Sequence, residues 1–286
     1  MLLSEKLEKY SKQGDTKKFT DTYNELKNFF ESQINKEKYG EEIYLQGSYG
    51  NDTNIEDESD VDIVIEMTNV YYYNIDLLTM DEQYRFRSEH PSSNISINDF
   101  KMHVIDILQS SKYEYEVKNK CIKITSGTPL NADIIVCAKH KKFTTYDKYI
   151  EGIIFFDKKG NQIVSYPKHH NDNMIAKNKS IPSFKSTIRI FKNLKIELIN
   201  NGFIDENSVS SYFIESMIYN VNDDYFTISN LENRILKIIS WCIKYIINYK
   251  MITPCKQYYL FGKGKNQWNE HDAINFLRNA YTIVRD

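Results

Sequence analysis

The sequence predicts an α+β protein, a mixed β-sheet in the first part of the chain and helices in the second. Three observations predict it. Short apolar runs bounded by turn residues recur between about residues 43 and 156, which is strand spacing. Beyond about residue 165 apolar residues recur every three or four positions, which is helical spacing. A polar stretch, SYPKHHNDNMIAKNKSIP, separates the two patterns. Strands followed by a run of helices is the order of an α+β chain.

Each element has its own signal. Phe19, Tyr23, Leu26, Phe30 and Ile34 lie three or four apart, so residues 16–36 form an amphipathic helix. Residues 43–47 read as a strand that runs into the turn at Gly47-Ser48, and 61–66 as a second strand. Residues 79–110 are helical but broken near His90-Pro91, because proline has no N–H to donate and clashes with the preceding turn. Residues 113–117 and 121–125 read as two short strands, 131–137 (NADIIVC) as a buried one, and 152–156 as another. The polar stretch is expected to be an ordered loop. Helices follow over 183–201, with Phe184, Ile188, Phe191, Leu194 and Leu198 on one face, then over 210–221, 230–249 and about 270–284. The composition change divides the chain into 1–165, a sheet domain with an N-terminal helix, and 166–286, a helical domain.

The chain has 286 residues, 41% of them apolar, which is enough for a sizeable core. Its 37 Lys and Arg against 39 Asp and Glu leave a net charge of −2, so nothing suggests constitutive electrostatic binding to nucleic acid. Cys121, Cys137, Cys242 and Cys255 show no CxxC spacing and no accompanying His cluster, which argues against a zinc site or a disulfide framework and for a reducing cytoplasm. The N-terminus lacks the apolar core of a signal peptide. The most apolar stretch, ILKIISWCIKYIINY, is too short and is interrupted by Lys237 and Lys244, so no membrane association is expected.

The chemistry concentrates in GSYGNDTNIEDESDVDIVIE, residues 47–66. Asp60 and Asp62 are two apart on an apolar strand, so they share one face of the sheet about 7 Å apart. Two such carboxylates repel each other and resist burial. A third, Asp133, stands among Ala132, Ile134, Ile135 and Val136, where an isolated carboxylate costs several kcal/mol, of order 3 or more, unless paired. If the two strands are neighbours, the three carboxylates converge. Hard oxygen ligands with no soft ligand nearby call for Mg²⁺ or Mn²⁺, and two such ions drive phosphoryl or nucleotidyl transfer. Gly47-Ser48 at a strand end offers backbone N–H groups and a hydroxyl to a polyphosphate. Bare Gly-Ser says nothing, and bare DxD fits a surface strand end or a calcium loop equally well. The combined pattern G-S-x(11)-D-x-D with a later lone Asp on an apolar strand is far more specific.

These residues resemble the polymerase-β-type nucleotidyltransferase superfamily, and in particular its cGAS/DncV-like branch, the CD-NTases. The resemblance runs over roughly residues 16–284. It is carried by LQGSYGNDT with SDVDIVIE, NADIIVC, EGIIFFDKKGNQIVSYPKHHNDNMIAKN, FKSTIRIFKNLK and SSYFIESMIYNV. It implies a bilobed fold, a mixed-sheet catalytic lobe and a C-terminal helical lobe with the active site in the cleft between them. It implies that Asp60, Asp62 and Asp133 hold two metal ions and that Asp133 helps deprotonate the attacking ribose hydroxyl. Gly47 and Ser48 would hold the donor triphosphate, Lys192 and Ser211 would contact the same phosphates, and Tyr212 would stack on the donor base. It implies synthesis of a cyclic or linear oligonucleotide second messenger from nucleoside triphosphates, ATP among them, in bacterial antiphage (CBASS) signalling, with a downstream effector that senses the product. The His/Cys zinc insertion of the animal DNA sensor is absent, so no obligatory nucleic-acid partner is expected.

Other readings stand beside these. Transfer of a nucleotide to another acceptor (an RNA 3′ end, a small molecule or a protein) uses the same residues, and a non-enzymatic nucleotide- or RNA-binding module could keep the fold. The intact triad argues against the second. Lys185, Arg189, Lys192 and Lys195, taken alone, read as a solvated helix face. His169-His170 reads as part of a polar surface loop, KHKKF at 139–143 as an exposed strand end, and Tyr71-Tyr72-Tyr73 and Tyr258-Tyr259 as packing. Ser210 competes with Ser211 for the phosphate role.

Overall fold

The computed structural model describes residues 2–56, 60–248, 250–264 and 266–285. Ser59 of SDVDIVIE and Tyr249, the last residue of the helix expected over 230–249, lie outside them. In chain order the first elements are α1 (Leu3–Ser11), α2 (Lys17–Gln33), α3 (Lys36–Tyr39), β1 (Glu42–Leu45), α4 (Gly47–Gly50) and β2 (Val61–Asn74). Next come α5 (Met80–Glu89), α6 (Ile97–Gln109), β3 (Glu114–Val117), β4 (Ile122–Ser126), β5 (Ala132–Thr145), β6 (Lys148–Phe156) and β7 (Gln162–Ser165). The rest is helical: α7 (Pro167–Ser180), α8 (Phe184–Asn200), α9 (Ser211–Tyr219), α10 (Leu231–Tyr245) and α11 (Glu270–Arg285).

These elements form two compact units that do not follow chain order. A sheet unit comprises 16–46 and 59–167; a helical unit comprises 1–15, 47–58 and 168–286. The composition change near residue 165 falls at the last passage between them. The helix expected over 16–36 stays with the sheet, whereas α1 and the Gly47-Ser48 turn, which chain order also groups with the sheet, belong to the helical unit.

The sheet unit is built on a seven-stranded mixed sheet of order β1-β2-β5-β4-β3, with β6 pairing β5 and β7. β2 and β5 are parallel, and their register places Asp62 beside Asp133. Both strands outrun the apolar segments that announced them, reaching Asn74 and Thr145. Past Met67 the pairing sets Tyr71, Tyr72 and Tyr73 against Lys139, His140 and Lys141, and the Lys141 ammonium sits 4.1 Å from the centre of the Tyr71 ring. Aromatic residues suit a pleated surface and the cation–π contact adds to the pairing, so the strand continues without an apolar run. α5 and α6 are separated at His90-Pro91, where the helical pattern broke.

The helical unit packs Phe184, Phe191, Leu194, Phe213 and Phe276 with Leu7 of α1, each 0% exposed. The expected loop after residue 165 is instead helix α7. Its sequence has almost no apolar periodicity, and it is held by two buried residues one turn apart, His170 and Met174. Pro167 suits its first turn, where its missing N–H is not required. Lys177 donates to the carbonyls of Tyr219 and Val221 at 2.7 and 3.1 Å. Among the described residues no helix is long and apolar enough to cross a membrane.

Candidate active site

In the sheet unit the carboxylates stand at the start of the two parallel strands. Val61, Ile63, Val64, Ile65, Ala132 and Ile134 are fully buried, and the Val61 N–H donates to the Asn131 carbonyl at 2.9 Å, which fixes the register. Asp62 and Asp133 are register partners, so their side chains leave the same face of the sheet. Asp60, two residues before Asp62, points the same way where the backbone is extended. On the far side of β5, Lys123 of β4 is the register partner of Asp133 and donates to Asp60 Oδ2 at 2.7 Å. That bond raises the pKa of the Lys123 ammonium. Beside them the Cys121 thiol is pushed up to about 12, first by burial and then by the Asp133 carboxylate. It therefore stays protonated at neutral pH.

Asp133 Oδ1 is a buried acceptor with no hydrogen-bond donor. A carboxylate oxygen left in that state costs about 1–3 kcal/mol, more if charged, and a cation removes the penalty. Two neighbouring carboxylates, one with an orphaned oxygen, and a third two residues away offer hard-oxygen donors of the type that Mg²⁺ or Mn²⁺ takes. Among the described residues no three His, Cys, Asp or Glu side chains are gathered into an arrangement able to hold an ion; Asp60 is engaged by Lys123.

In the helical unit the Gly47-Ser48 turn is a single helical turn. Gly47 has φ +68°, a left-handed conformation that glycine enters without penalty. The Ser48 carbonyl accepts from the Thr53 N–H at 2.8 Å. Asp52 also sits at positive φ, +53°. The segment behind the turn is fastened to α8: Lys185 donates to Asp52 Oδ2 at 2.9 Å, Arg189 to the Asp52 carbonyl at 2.7 Å and Lys192 to Thr53 Oγ1 at 3.2 Å. Three of the four basic residues that read as a solvated face thus hold the turn, and Lys185 and Lys192 are buried, at 6% and 1% exposure.

The partner of Lys192 is Glu215 of α9, 3.0 Å away and 3% exposed. Glu215 also accepts from Thr53 Oγ1 at 2.5 Å and Asn51 Nδ2 at 3.2 Å, and pairs with His170 Nε2 at 3.1 Å. Burial pushes its carboxyl up, but Lys192, His170 and Thr53 together outweigh that and hold it well below the usual carboxylate range. His170 is buried rather than in a surface loop, and its ring stacks on Tyr212 at 4.9 Å between centres. Tyr212 in turn stacks on Trp268 at 5.6 Å and keeps 38% of its surface exposed. Ser211 opens α9, while Ser210 is its N-cap and accepts from the Phe213 N–H at 3.1 Å. The capping role occupies Ser210 and leaves Ser211 in the first turn.

Thus Asp62 and Asp133 are adjacent, Asp60 adjoins them on the chain, and Gly47, Ser48, Lys192, Ser211 and Tyr212 share the other unit. Lys123, Asn51, Thr53, Trp268 and above all Glu215 were not foreseen. One signal for Glu215 is in the sequence: Phe213, Ile214, Met217 and Ile218 surround it on a helix apolar on nearly every side, and such a helix is buried.

Residues 172–285 match the cGAS/DncV-like nucleotidyltransferase C-terminal helical domain, and 26–159 match the nucleotidyltransferase domain. The cyclic nucleotide synthase CdnE01 of Staphylococcus haemolyticus is 38% identical over 96% of this chain and 95% of its own length. The structure of the Rhodothermus marinus CdnE c-UMP-AMP synthase with Apcpp and Upnpp superposes with a TM-score of 0.87 at 32% identity, covering 98% of this chain and 95% of that one. The Elizabethkingia meningoseptica CdnE cyclic dinucleotide synthase with GTP and Apcpp gives a TM-score of 0.79 at 26% identity, covering 98% of each chain. The chain belongs to the cGAS/DncV-like nucleotidyltransferases and is an enzyme of that kind.

Proposed function

We propose that this chain joins nucleoside triphosphates, ATP among them, into a cyclic oligonucleotide that a downstream effector senses, as the signalling arm of a bacterial antiphage (CBASS) system in the cytoplasm. The observation that carries the chemistry is the pairing of Asp62 with Asp133, two like charges side by side on buried strands, with the Asp133 Oδ1 buried and without a hydrogen-bond donor. Lys123 offsets part of the repulsion, yet two facing carboxylates remain a costly arrangement for stability alone. The relatives that the chain spans almost end to end are cyclic nucleotide synthases, which supports the cyclic product over transfer to another acceptor.

Asp60, Asp62 and Asp133 would hold Mg²⁺ or Mn²⁺, two ions in the active state, with Lys123 released from Asp60. The metal supplies charge neutralisation and a nucleophile of lowered pKa when bound. The protein's own contribution is positioning and preorganised donors. Gly47 and Ser48 present backbone N–H groups and a hydroxyl to the donor triphosphate, Ser211 adds a hydroxyl at a helix start, and Lys192 adds positive charge behind them. Tyr212, backed by His170 and Trp268, offers a face to the donor base. Asp133, beside the metal ligand Asp62, takes the proton of the attacking ribose hydroxyl.

The test is incubation of the purified, nuclease-treated chain with labelled nucleoside triphosphates and Mg²⁺, followed by phosphatase and mass spectrometry. Phosphatase-resistant products with the mass of cyclised nucleotides are expected. Products only when an RNA, small molecule or protein acceptor is added would replace this reading with acceptor modification.

A further inference from the structure

The Glu215 carboxylate is a buried charge with four hydrogen-bonding partners, and nothing in the nucleotide chemistry above uses it directly. Its four partners come from three separate places in the chain: Asn51 and Thr53 behind the phosphate turn, Lys192 on α8, and His170 on α7 behind Tyr212. A buried carboxylate that is satisfied by four groups is fixed in place, and it fixes them. On one side it reaches Ser48 through Thr53, whose N–H donates to the Ser48 carbonyl at 2.8 Å. On the other it reaches the base platform through His170, whose ring stacks on Tyr212. Ser211 and Tyr212 are also on its own helix, one turn before it.

We propose that Glu215 is a positioning residue for nucleotide binding, a single buried charge that sets the geometry of the triphosphate turn and of the base-stacking platform together. It touches no substrate. A neutral α9 core of the same shape would pack the helix equally well, since Phe213, Ile214, Met217 and Ile218 already bury it. The charge serves to orient Lys192, Thr53 and His170 at once. Small errors in such ligands matter, because affinity for a triphosphate depends on donors that are already in place. The inference rests on the nucleotide-binding reading of the same residues.

Two nearly isosteric variants test it, Glu215→Gln and Thr53→Val, alongside the wild type. Each is followed by steady-state kinetics, by titration with a non-hydrolysable nucleoside triphosphate, and by Trp268 fluorescence in a Trp241→Phe background. For Glu215→Gln the KM and the analogue Kd are expected to rise at least tenfold, with kcat within threefold among the molecules that remain folded. The quench of Trp268 by the analogue should shrink with it, since the platform is no longer aligned. Thr53→Val should raise KM at least fivefold among the molecules that remain folded. A merely structural role would lower Tm and the active fraction while leaving KM and the quench per folded molecule unchanged, and that result overturns the proposal. If Glu215→Gln does not fold, Thr53→Val decides alone: a KM within twofold of the wild type overturns it. A wild-type chain that bound no triphosphate analogue would sink the functional reading itself, whereas wild-type binding with unaltered KM in the variants sinks only the role of Glu215.

Discussion

At the scale of single residues, the site is legible where a charge interrupts an apolar run. Asp62 and Asp133 stand out because nothing else explains a carboxylate in VDIVI or NADIIVC. Glu215 obeys the same logic but hides in a helix, where polar residues are ordinary and only the surrounding Phe213, Ile214, Met217 and Ile218 betray its burial. Two predictions belong here. The first concerns Asp62→Asn, which removes one of two like charges directly opposite each other on neighbouring strands. The change should abolish product and remove the rise in Tm on adding Mg²⁺; melts with EDTA and with Mg²⁺ measure the latter. A variant that still gained stability from Mg²⁺ and turned over would show that Asp62 is no ligand. The second concerns acid. A carboxyl depressed in the fold contributes stability that is complete above its unfolded value, about 4.3, and is lost as pH falls through that value toward the folded one. Glu215 is such a group, with burial opposing and Lys192, His170 and Thr53 prevailing. Urea unfolding between about pH 3 and 6 should therefore show the wild type losing its advantage over Glu215→Gln as pH falls. A pH-independent gap between them would assign the stabilisation to shape and not to charge.

Among the elements, strands and helices with strong periodicity are readable and those shaped by distant partners are not. α8 was found from Phe184, Ile188, Phe191, Leu194 and Leu198, yet its basic residues seemed suited to water because nothing local shows that Asp52, Thr53 and Glu215 lie against them. α7 looked like a loop because its burial rests on His170 and Met174 alone. The β2 and β5 extensions were missed because tyrosine–lysine pairing leaves no apolar pattern. The buried pair on α8 and α9 makes a prediction about the element. Lys192→Met leaves Glu215 as an uncompensated buried carboxylate, a loss of about 3–5 kcal/mol when one partner of a buried pair is removed. Lys195→Ala, on the same helix but only half-buried, should leave kcat/KM nearly unaltered. Denaturant midpoints and kinetics of the two variants compare them directly. A greater loss of kcat/KM in Lys195→Ala than in Lys192→Met would mean that the phosphate-facing register of α8 is wrong.

For the whole molecule, composition located the passage near residue 165 but not the two earlier excursions of the chain, because unit membership is set by contacts that no local pattern encodes. Residues 1–15 and 47–58 belong with 168–286. Leu7 is 0% exposed in the helical core, Arg189 donates to the Ser11 carbonyl at 2.7 Å, and Asn51 and Thr53 satisfy Glu215. This dependence predicts how the chain comes apart. Leu7→Ala should cost about 2–5 kcal/mol, the range for deleting a buried leucine side chain down to its Cβ. Residues 168–286 expressed alone lack α1 altogether and lack Asn51 and Thr53, the two side chains behind the Gly47-Ser48 turn that hold Glu215. Against a typical total of about 5–15 kcal/mol, the loss of a core-filling helix together with two hydrogen bonds to a buried carboxylate removes most of the margin. That fragment should show no cooperative thermal transition, even though it carries α7 to α11 complete. Adding a peptide of residues 2–15 in excess should restore part of the transition, since anything that binds the folded form and not the unfolded one stabilises it by mass action. A fragment that melts cooperatively within a few degrees of the full chain, with no response to the peptide, would show that the helical domain is the self-sufficient block that chain order suggests.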